Sequence, residues 1–575
     1  MAAHALTPIL AAAALAAAPQ AQAPAGETPR STGRAQQPPS AYALAAAAYE
    51  AFNARDYARA AALAAEAAAL APGNRDYALL HLQALANAGR GEAAEQAAAA
   101  LERRFGPSAL VAAQRGHLAA ARQDWTAAAD RFGEALALPG LDPAAARLAR
   151  LGRFDALMSL KQPEEAARSL EGLAADSYEV RSRLAMAADA ARRPAEAAEA
   201  QAAAAELAPT AESKAYMLRG QVMSLVALQK RAEARRVFDA ALRAGQLDAS
   251  DPMDVAMVAV AVHDDETALT WFRRAEADGK LKGRAALDAA YAAKRLARDA
   301  DAVRYFTLGL DRTRAGEFAL GPQAEFEIRR DVATISRRWG FNGYVGYGGA
   351  GAATAALPGA SQGVTQVGGE AYARLGGYRR GRTWEVFGRA FETVASERGD
   401  ATGPQTLQGW IGVRHKPFES QNLVLEASRM ISLGELARDD WMIRAAWSAG
   451  DGLDLRFDRS NWPMWNAYVD VAHITGDGQT LAAADLRAGR SFRLSDDPDG
   501  GLVLSPFAGV AASYDDSLSK ALAAGWGPGV AARWWFGGQT HQAPRSYLEM
   551  ALQYRLRITG DARASGLFAT FNVAY

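Results

Sequence analysis

Two hydrophobic periods divide the chain. Between Ala41 and about Asp311 apolar residues recur at i, i+4 and i+7, the spacing of one helix face. The stripe itself repeats, at Ala60/Ala64/Ala67, Ala94/Ala98/Leu101, Ala128/Phe132/Ala135, Ala166/Leu170/Leu173, Ala198/Ala202/Ala205, Ala234/Phe238/Ala241, Ala268/Phe272/Ala275 and Ala302/Phe306/Gly309. First positions lie 34, 34, 38, 32, 36, 34 and 34 residues apart, with Pro72, Pro107, Pro139 and Pro209 just after second helices. A helix pair repeated every 34 residues is the tetratricopeptide pattern. One pair cannot bury its own stripe, so neighbours must stack. The expectation is an α-solenoid of about eight repeats over residues 41–311, its small residues letting paired helices approach. A plain alanine-rich bundle or coiled coil needs sustained heptads, which this stretch lacks.

Beyond about residue 312 the period falls to two. Leu548/Met550/Leu552/Tyr554/Leu556 oppose Glu549, Gln553 and Arg555. Trp441/Ile443/Ala445/Trp447 oppose Arg444 and Ser448; Trp465/Ala467/Val469/Val471 oppose Asn466 and Asp470; Leu453/Leu455/Phe457 oppose Asp454, Arg456 and Asp458. Strands point successive side chains to opposite faces. Segments of about ten residues with one apolar face, divided by Gly/Asp turns, are what an outer-membrane barrel requires. About thirteen candidate strands fall between Trp339 and Tyr575, so the expectation is an antiparallel transmembrane β-barrel of about 12–14 strands. Alternation falters between Trp384 and Val394, where Glu392 shares the apolar parity and a bulge would restore register. Leu567, Phe571, Val573 and Tyr575 share one parity in the last strand, and the chain ends on the aromatic, which reads as an outer-membrane insertion signal handled by the barrel-assembly machinery. The competing fold is a soluble β-sandwich.

Composition supports the division: ten of the twelve tryptophans lie beyond residue 338. The formal charge is zero and there is no cysteine, which removes an electrostatic footprint for nucleic acid, a disulfide frame and a thiolate nucleophile. Ile9 to Ala18 is a short apolar run followed by Ala21-Gln22-Ala23, so residues 1–23 read as a secretory signal peptide, although the run is preceded by His4 and no Lys or Arg. Residues 24–40 read as a disordered leader and residues 312–338 as a linker ahead of the barrel at 339–575. The repeats are expected in the periplasm.

If the apolar parity faces lipid, the other lines a lumen. The candidates are Glu385, Arg389, Arg414, Arg444, Asp454, Arg456, Asp470, Glu549, Gln553 and Arg555. They carry both signs, which argues against strong ion selectivity; they could bind sugar hydroxyls or pair with one another and fill the barrel. No catalytic or metal-binding set and no cofactor motif emerges. His81, His117 and His263 lack ligand spacing, and Asp264-Asp265-Glu266 suits a helix N-terminus. A glycan-modifying enzyme needs two carboxylates across a cleft, and adjacent Asp439 and Asp440 point to opposite faces of a strand.

Four stretches, Gly381 to Phe387, Gly403 to Arg429, Ala437 to Ser448 and His541 to Leu556, resemble the C-terminal domain of bacteriophage N4 adsorption protein A, the NfrA family. The resemblance covers about residues 340–575. It implies an outer-membrane β-domain behind periplasmic repeats, with a role in exopolysaccharide export, an inner-membrane glycosyltransferase as partner, and phage reception as in the founding member. The helical region here is much shorter than that member's. The expectation is thus an outer-membrane protein in contact with lipid and exopolysaccharide, its repeats binding periplasmic proteins, with a non-conducting scaffold or receptor as the alternative and no enzymatic activity.

Overall fold

The computed structural model describes residues 40–348 and 363–575, and the chain divides into two compact units between Ser250 and Asp251. The expected signal peptide and leader lie outside the described residues, apart from Ser40. That residue caps the first helix, its hydroxyl accepting from the Ala43 N–H at 3.2 Å.

Among the described residues the first unit holds six helix pairs: α1 (Ala41–Asn53) with α2 (Tyr57–Leu70), α3 (Arg75–Asn87) with α4 (Gly91–Phe105), α5 (Ala109–Ala121) with α6 (Trp125–Ala137), α7 (Pro143–Ser159) with α8 (Pro163–Ser169), α9 (Tyr178–Ala190) with α10 (Pro194–Glu206), and α11 (Ala211–Ala227) with α12 (Arg231–Arg243). The second unit opens with two more, α13 (Pro252–Ala261) with α14 (Asp265–Ala277) and α15 (Ala285–Arg295) with α16 (Asp299–Arg314). In each pair the turn passes through one residue in the left-handed region: Arg55, Gly89, Gln123, Lys161, Arg192, Gln229, His263 and Ala297. Each stands five positions before a buried alanine of the second helix, which fixes the repeat register. His263 is therefore a turn residue, and Asp264 caps α14 by accepting from the Thr267 N–H at 3.2 Å.

In α10 both registers are buried: Ala198 and Ala205 of the expected stripe, with Ala202 half-buried, and also Ala197, Gln201 and Ala204, the set in register with the turn. Gln201 is buried because the Ser224 hydroxyl donates to its Oε1 at 2.9 Å, so a satisfied polar group occupies a place where the hydrophobic pattern looks for an apolar one.

Elsewhere the second helices carry the wedge. The Phe132 ring sits between α5 and α7; a Cβ at Gly116 would lie 2.7 Å from it, and one at Gly152 2.6 Å. Gly152→Ala is expected to cost about 1–3 kcal/mol by overpacking, and Phe132→Ala about 3–5 kcal/mol by leaving a cavity. Thermal unfolding of the helical signal checks both; equal, negligible shifts would mean that the ring is not the wedge.

Residues 312–338, expected as a linker, contain another helix, α17 (Pro322–Ser336), with Pro322 at its first position where a missing N–H costs nothing. Twelve strands follow: β1 (Trp339–Tyr347), β2 (Val364–Leu375), β3 (Trp384–Ser396), β4 (Gln408–His415), β5 (Asn422–Ser432), β6 (Asp440–Asp451), β7 (Asn461–Ile474), β8 (Gln479–Arg493), β9 (Gly501–Asp515), β10 (Leu522–Phe536), β11 (Ser546–Thr559) and β12 (Gly566–Ala574). Each pairs antiparallel with its sequence neighbours, and β1 pairs with β12 (Asn342 with Ala574, Tyr347 with Ala569) to close the barrel. Closure leaves no unpaired edge. The β3 bulge falls at Val394, after Glu392, so Glu392 stays on the outward parity of Trp384 and Val386. The segment Leu453 to Phe457, expected as a strand, is part of the β6–β7 connection.

The mouth where β1 starts and β12 ends is termed here the near mouth. α17 crosses it. Its C-terminal end meets β2: the Thr334 carbonyl accepts from Arg374 Nη1 at 3.2 Å, and Arg337 Nη1 lies 3.5 Å from the Tyr372 hydroxyl. Farther back, buried Arg329 donates to the Pro498 carbonyl at 3.5 Å and reaches the Asp499 carboxylate, both between β8 and β9, and to the Gln539 carbonyl at 2.6 Å. β2 and β8 are six steps apart in a ring of twelve, hence opposite one another, so a helix touching both spans the opening. Phe326 packs into a buried cluster with Leu455, Trp462, Val503 and Trp535.

Candidate functional site: the charged interior of the barrel

Outside, the barrel wall is apolar. Trp384, Ile411, Leu425, Trp441, Ile443, Trp465, Val469, Leu486, Val510, Trp526, Trp534, Met550, Leu552 and Tyr554 are all exposed. Exposed Trp339, Trp384, Trp534 and Tyr575 lie toward the near mouth, and exposed Trp441, Tyr514 and Trp526 toward the far one. Two aromatic rims around an apolar band are the pattern of a lipid-facing barrel. In the terminal strand Leu567 and Tyr575 are exposed, Phe571 and Val573 half-buried, and inward-facing Phe568 buried.

Inside, the opposite parity builds a ladder of alternating charge across six neighbouring strands. Glu385 on β3 takes Arg374 of β2 at 3.5 Å and Arg414 of β4 at 2.7 Å. Arg414 also holds Glu370 of β2 at 2.6 Å, and Glu370 holds Arg389 of β3 at 3.1 Å. Arg389 then donates to Glu426 of β5 at 2.6 Å, and Glu426 takes Arg444 of β6 at 3.1 Å. Arg444 grips Asp470 of β7 with two bonds of 2.8 Å and reaches the Tyr468 hydroxyl at 3.0 Å. Side chains at the middle of the chain are nearly sealed from solvent: 3% for Arg389, 1% for Glu426, 0% for Asp470. Paired and hydrogen-bonded neighbours are what make such buried charges tolerable.

Across the barrel a second cluster projects inward from β8, β10 and β11. Arg533 pairs with Glu549 at 2.5 Å, Arg487 with Asp485 at 2.7 Å, and Arg555 donates to Gln553 at 2.7 Å while lying over the Phe568 ring. Between these side chains is a cavity of about 210 Å³ lined by Met464, Asp485, Arg487, Phe507, Arg533 and Glu549.

Of the candidate lining residues, Glu385, Arg389, Arg414, Arg444 and Asp470 belong to the ladder and Glu549, Gln553 and Arg555 to the second cluster. Asp454 and Arg456 are on no strand: Asp454 pairs with Arg330 of α17, and Arg456 with Asp458 at 3.2 Å. Their alternation with Leu453 and Leu455 comes from a loop that tucks Leu455 against Phe326. The reading also omitted Glu370, Glu426, Asp485 and Arg533, which the structure places at nodes of the two networks. Each carboxylate of the ladder is held by guanidinium, an arrangement that locks strands together. Among the described residues no group of His, Cys, Asp or Glu could hold a metal ion, and no helix is long and apolar enough to cross a membrane.

Helix-pair repeats followed by a closed barrel, greasy outside and charged within, define a class that fits an outer-membrane protein. Residues 399–571 match the family model described as "Bacteriophage N adsorption protein A C-term". Among solved structures, the helical region is similar to a tetratricopeptide repeat protein from Parabacteroides merdae (13% identity over 41% of this chain and 92% of that one, TM-score 0.29). It is also similar to the C-terminal part of a TPR repeat-containing protein from Cytophaga hutchinsonii (10%, 47% and 95%, TM-score 0.32) and to PilF of Pseudomonas aeruginosa (16%, 35% and 90%, TM-score 0.26). At these scores the likeness carries no argument, and the repeat assignment rests on the helix pairs themselves. A search of curated proteins gives no match.

Proposed function

We propose that the protein is an outer-membrane anchor and receptor whose barrel is filled, with its helix pairs presenting a docking surface in the periplasm. One observation carries this reading: the ladder from Arg374 to Asp470 lines the inner wall from β2 to β7 beneath a near mouth that α17 spans. A filled barrel keeps its loops in place without leaking solutes, which suits adsorption of a phage or of a partner. Full-length protein in planar lipid bilayers is expected to give no steady channel currents; stable open channels in the unmodified protein would overturn the reading.

The family's association with glycan export supports a second reading, in which the protein serves exopolysaccharide export with an inner-membrane glycosyltransferase. In its favour, a cavity of about 450 Å³ at the near mouth is lined by Asn422, Ser448, Thr383 and Tyr468, groups able to bond sugar hydroxyls. Deletion of the gene with intact polymerisation but no surface glycan would support export; normal secretion would end it.

Both readings need the wall to face lipid. Leu552, exposed near the middle of β11, is the place to ask. Leu552→Arg is expected to cost about 2–4 kcal/mol for folding into lipid vesicles. A cost near zero would remove the barrel from the bilayer.

A further inference from the structure

Around the C-terminal end of α17 cations gather without matching anions. Arg545, just ahead of β11, donates from Nη1 to the Thr334 hydroxyl at 2.6 Å. Arg374 donates to the carbonyls of Thr334 and Arg337 at 3.2 and 3.0 Å. These bonds suit the negative end of a helix, but they use neutral acceptors. Two carboxylates face this group: Glu385, which already serves Arg374 and Arg414, and Asp454, which borders the second cavity near Arg545 but is paired with Arg330. Among the described residues no carboxylate forms an ion pair with Arg337, Lys416 or Arg545. Burial lowers the pKa of Arg545 to about 10, helped by the neighbouring charges of Arg337 and Arg374; burial, with Arg374, also lowers that of Lys416.

Space accompanies the charge. The cavity of about 450 Å³ is lined by Thr334, Arg374, Lys416 and Arg545, and a second of about 360 Å³ by Thr334, Arg337 and Arg545. Arg545 and Thr334 border both, so the guanidinium stands between two open volumes, each large enough for a small ligand. Guanidinium groups match the geometry of phosphate and carboxylate oxygens, and an ammonium adds a point charge.

We propose that the near mouth binds an oxyanion-bearing ligand, a phosphate or the carboxylate of a sugar acid, in the cleft bordered by Thr334, Arg337, Arg374, Lys416 and Arg545. The site stands apart from whether the barrel conducts, since the charge and the cleft are the same in either case. The ligand supplies the counter-charge that the fold omits, and it enters from the mouth that α17 crosses.

The test is calorimetric titration of the full-length protein in detergent micelles at constant ionic strength in sodium chloride, with inorganic phosphate, pyrophosphate and glucuronate as probes. Saturable binding is expected, and at least tenfold weaker binding in Arg545→Gln and in Lys416→Gln. Lys416 gives the cleaner arm, because Arg545 also bonds α17. Tighter binding of pyrophosphate assigns a phosphate ligand, and tighter binding of glucuronate a sugar acid. Absence of saturable binding by all three, or binding unchanged in folded Lys416→Gln protein, would overturn the site.

Discussion

Glu426→Ala is expected to cost about 3–5 kcal/mol of barrel stability, because it removes one partner of a buried ion network and strands the others. Glu426 is the node where β3, β5 and β6 meet: it holds Arg389 at 2.6 Å and Arg444 at 3.1 Å, and its side chain is 1% exposed. Arg389 would keep only Glu370, and Arg444 only Asp470 and Tyr468. Glu426→Gln retains an acceptor but loses the charge, so an intermediate cost is expected. Asp454→Ala is the contrast. Its side chain is 54% exposed in its pair with Arg330, and an exposed pair contributes about 0–1 kcal/mol. Urea unfolding in lipid vesicles, followed by tryptophan fluorescence, measures all three. If Glu426→Ala costs no more than Asp454→Ala, the ladder does not hold β2 to β7 together.

The same residues show where the sequence was legible. Strand parity could be read wherever bulky side chains face outward, as at Trp441/Ile443 or Leu548/Met550/Leu552. It could not be read where the outward positions are small. Glu370 alternates with Gly369 and Ala371 and shows no hydrophobic contrast; Asp485 has Leu486 on one side but follows Ala482, Ala483 and Ala484, so its contrast is one-sided. The reverse error came from Leu453 to Phe457: a loop that buries one leucine under a helix copies the period of a strand. The barrel has twelve strands, within the 12–14 expected, and that segment is not one of them. Among the helices, alanine was informative by its spacing and misleading by its abundance. Ala197 and Ala198 are both available in α10, and a buried glutamine hid which one faces the partner helix. The turn residue five positions earlier would have decided it, but Arg, Gln, Lys, His and Ala all fill that left-handed position, so composition gives no mark. In α17 charged residues stand between the apolar ones; its arginines are committed to the strand connections, Arg329 at Asp499 and Arg330 at Asp454.

That commitment makes α17 separable from the wall it covers, and Arg329→Ala is expected to expose the difference. Arg329 is 5% exposed and bonds the carbonyls of Pro498, Gln539 and Gln542 as well as the Asp499 carboxylate. Hydrogen bonds involving a charged group contribute about 1.5–3 kcal/mol each, so losing the set is expected to weaken docking by about 3 kcal/mol or more. The strands keep their ladder bonds and closure, because Arg329 takes part in neither. Local opening should therefore grow without global unfolding. At 1.4 kcal/mol per factor of ten, amide protection over residues 322–336 should fall by about a hundredfold while β5 to β10 exchange as before. Phe326→Ala should act in the same direction, since it empties the cluster formed with Trp462 and Trp535. Hydrogen exchange followed by mass spectrometry on the full-length protein reads both. A uniform loss of protection through the strands would mean that α17 is a structural part of the barrel, and the near mouth would then have no cover that a ligand or partner could lift.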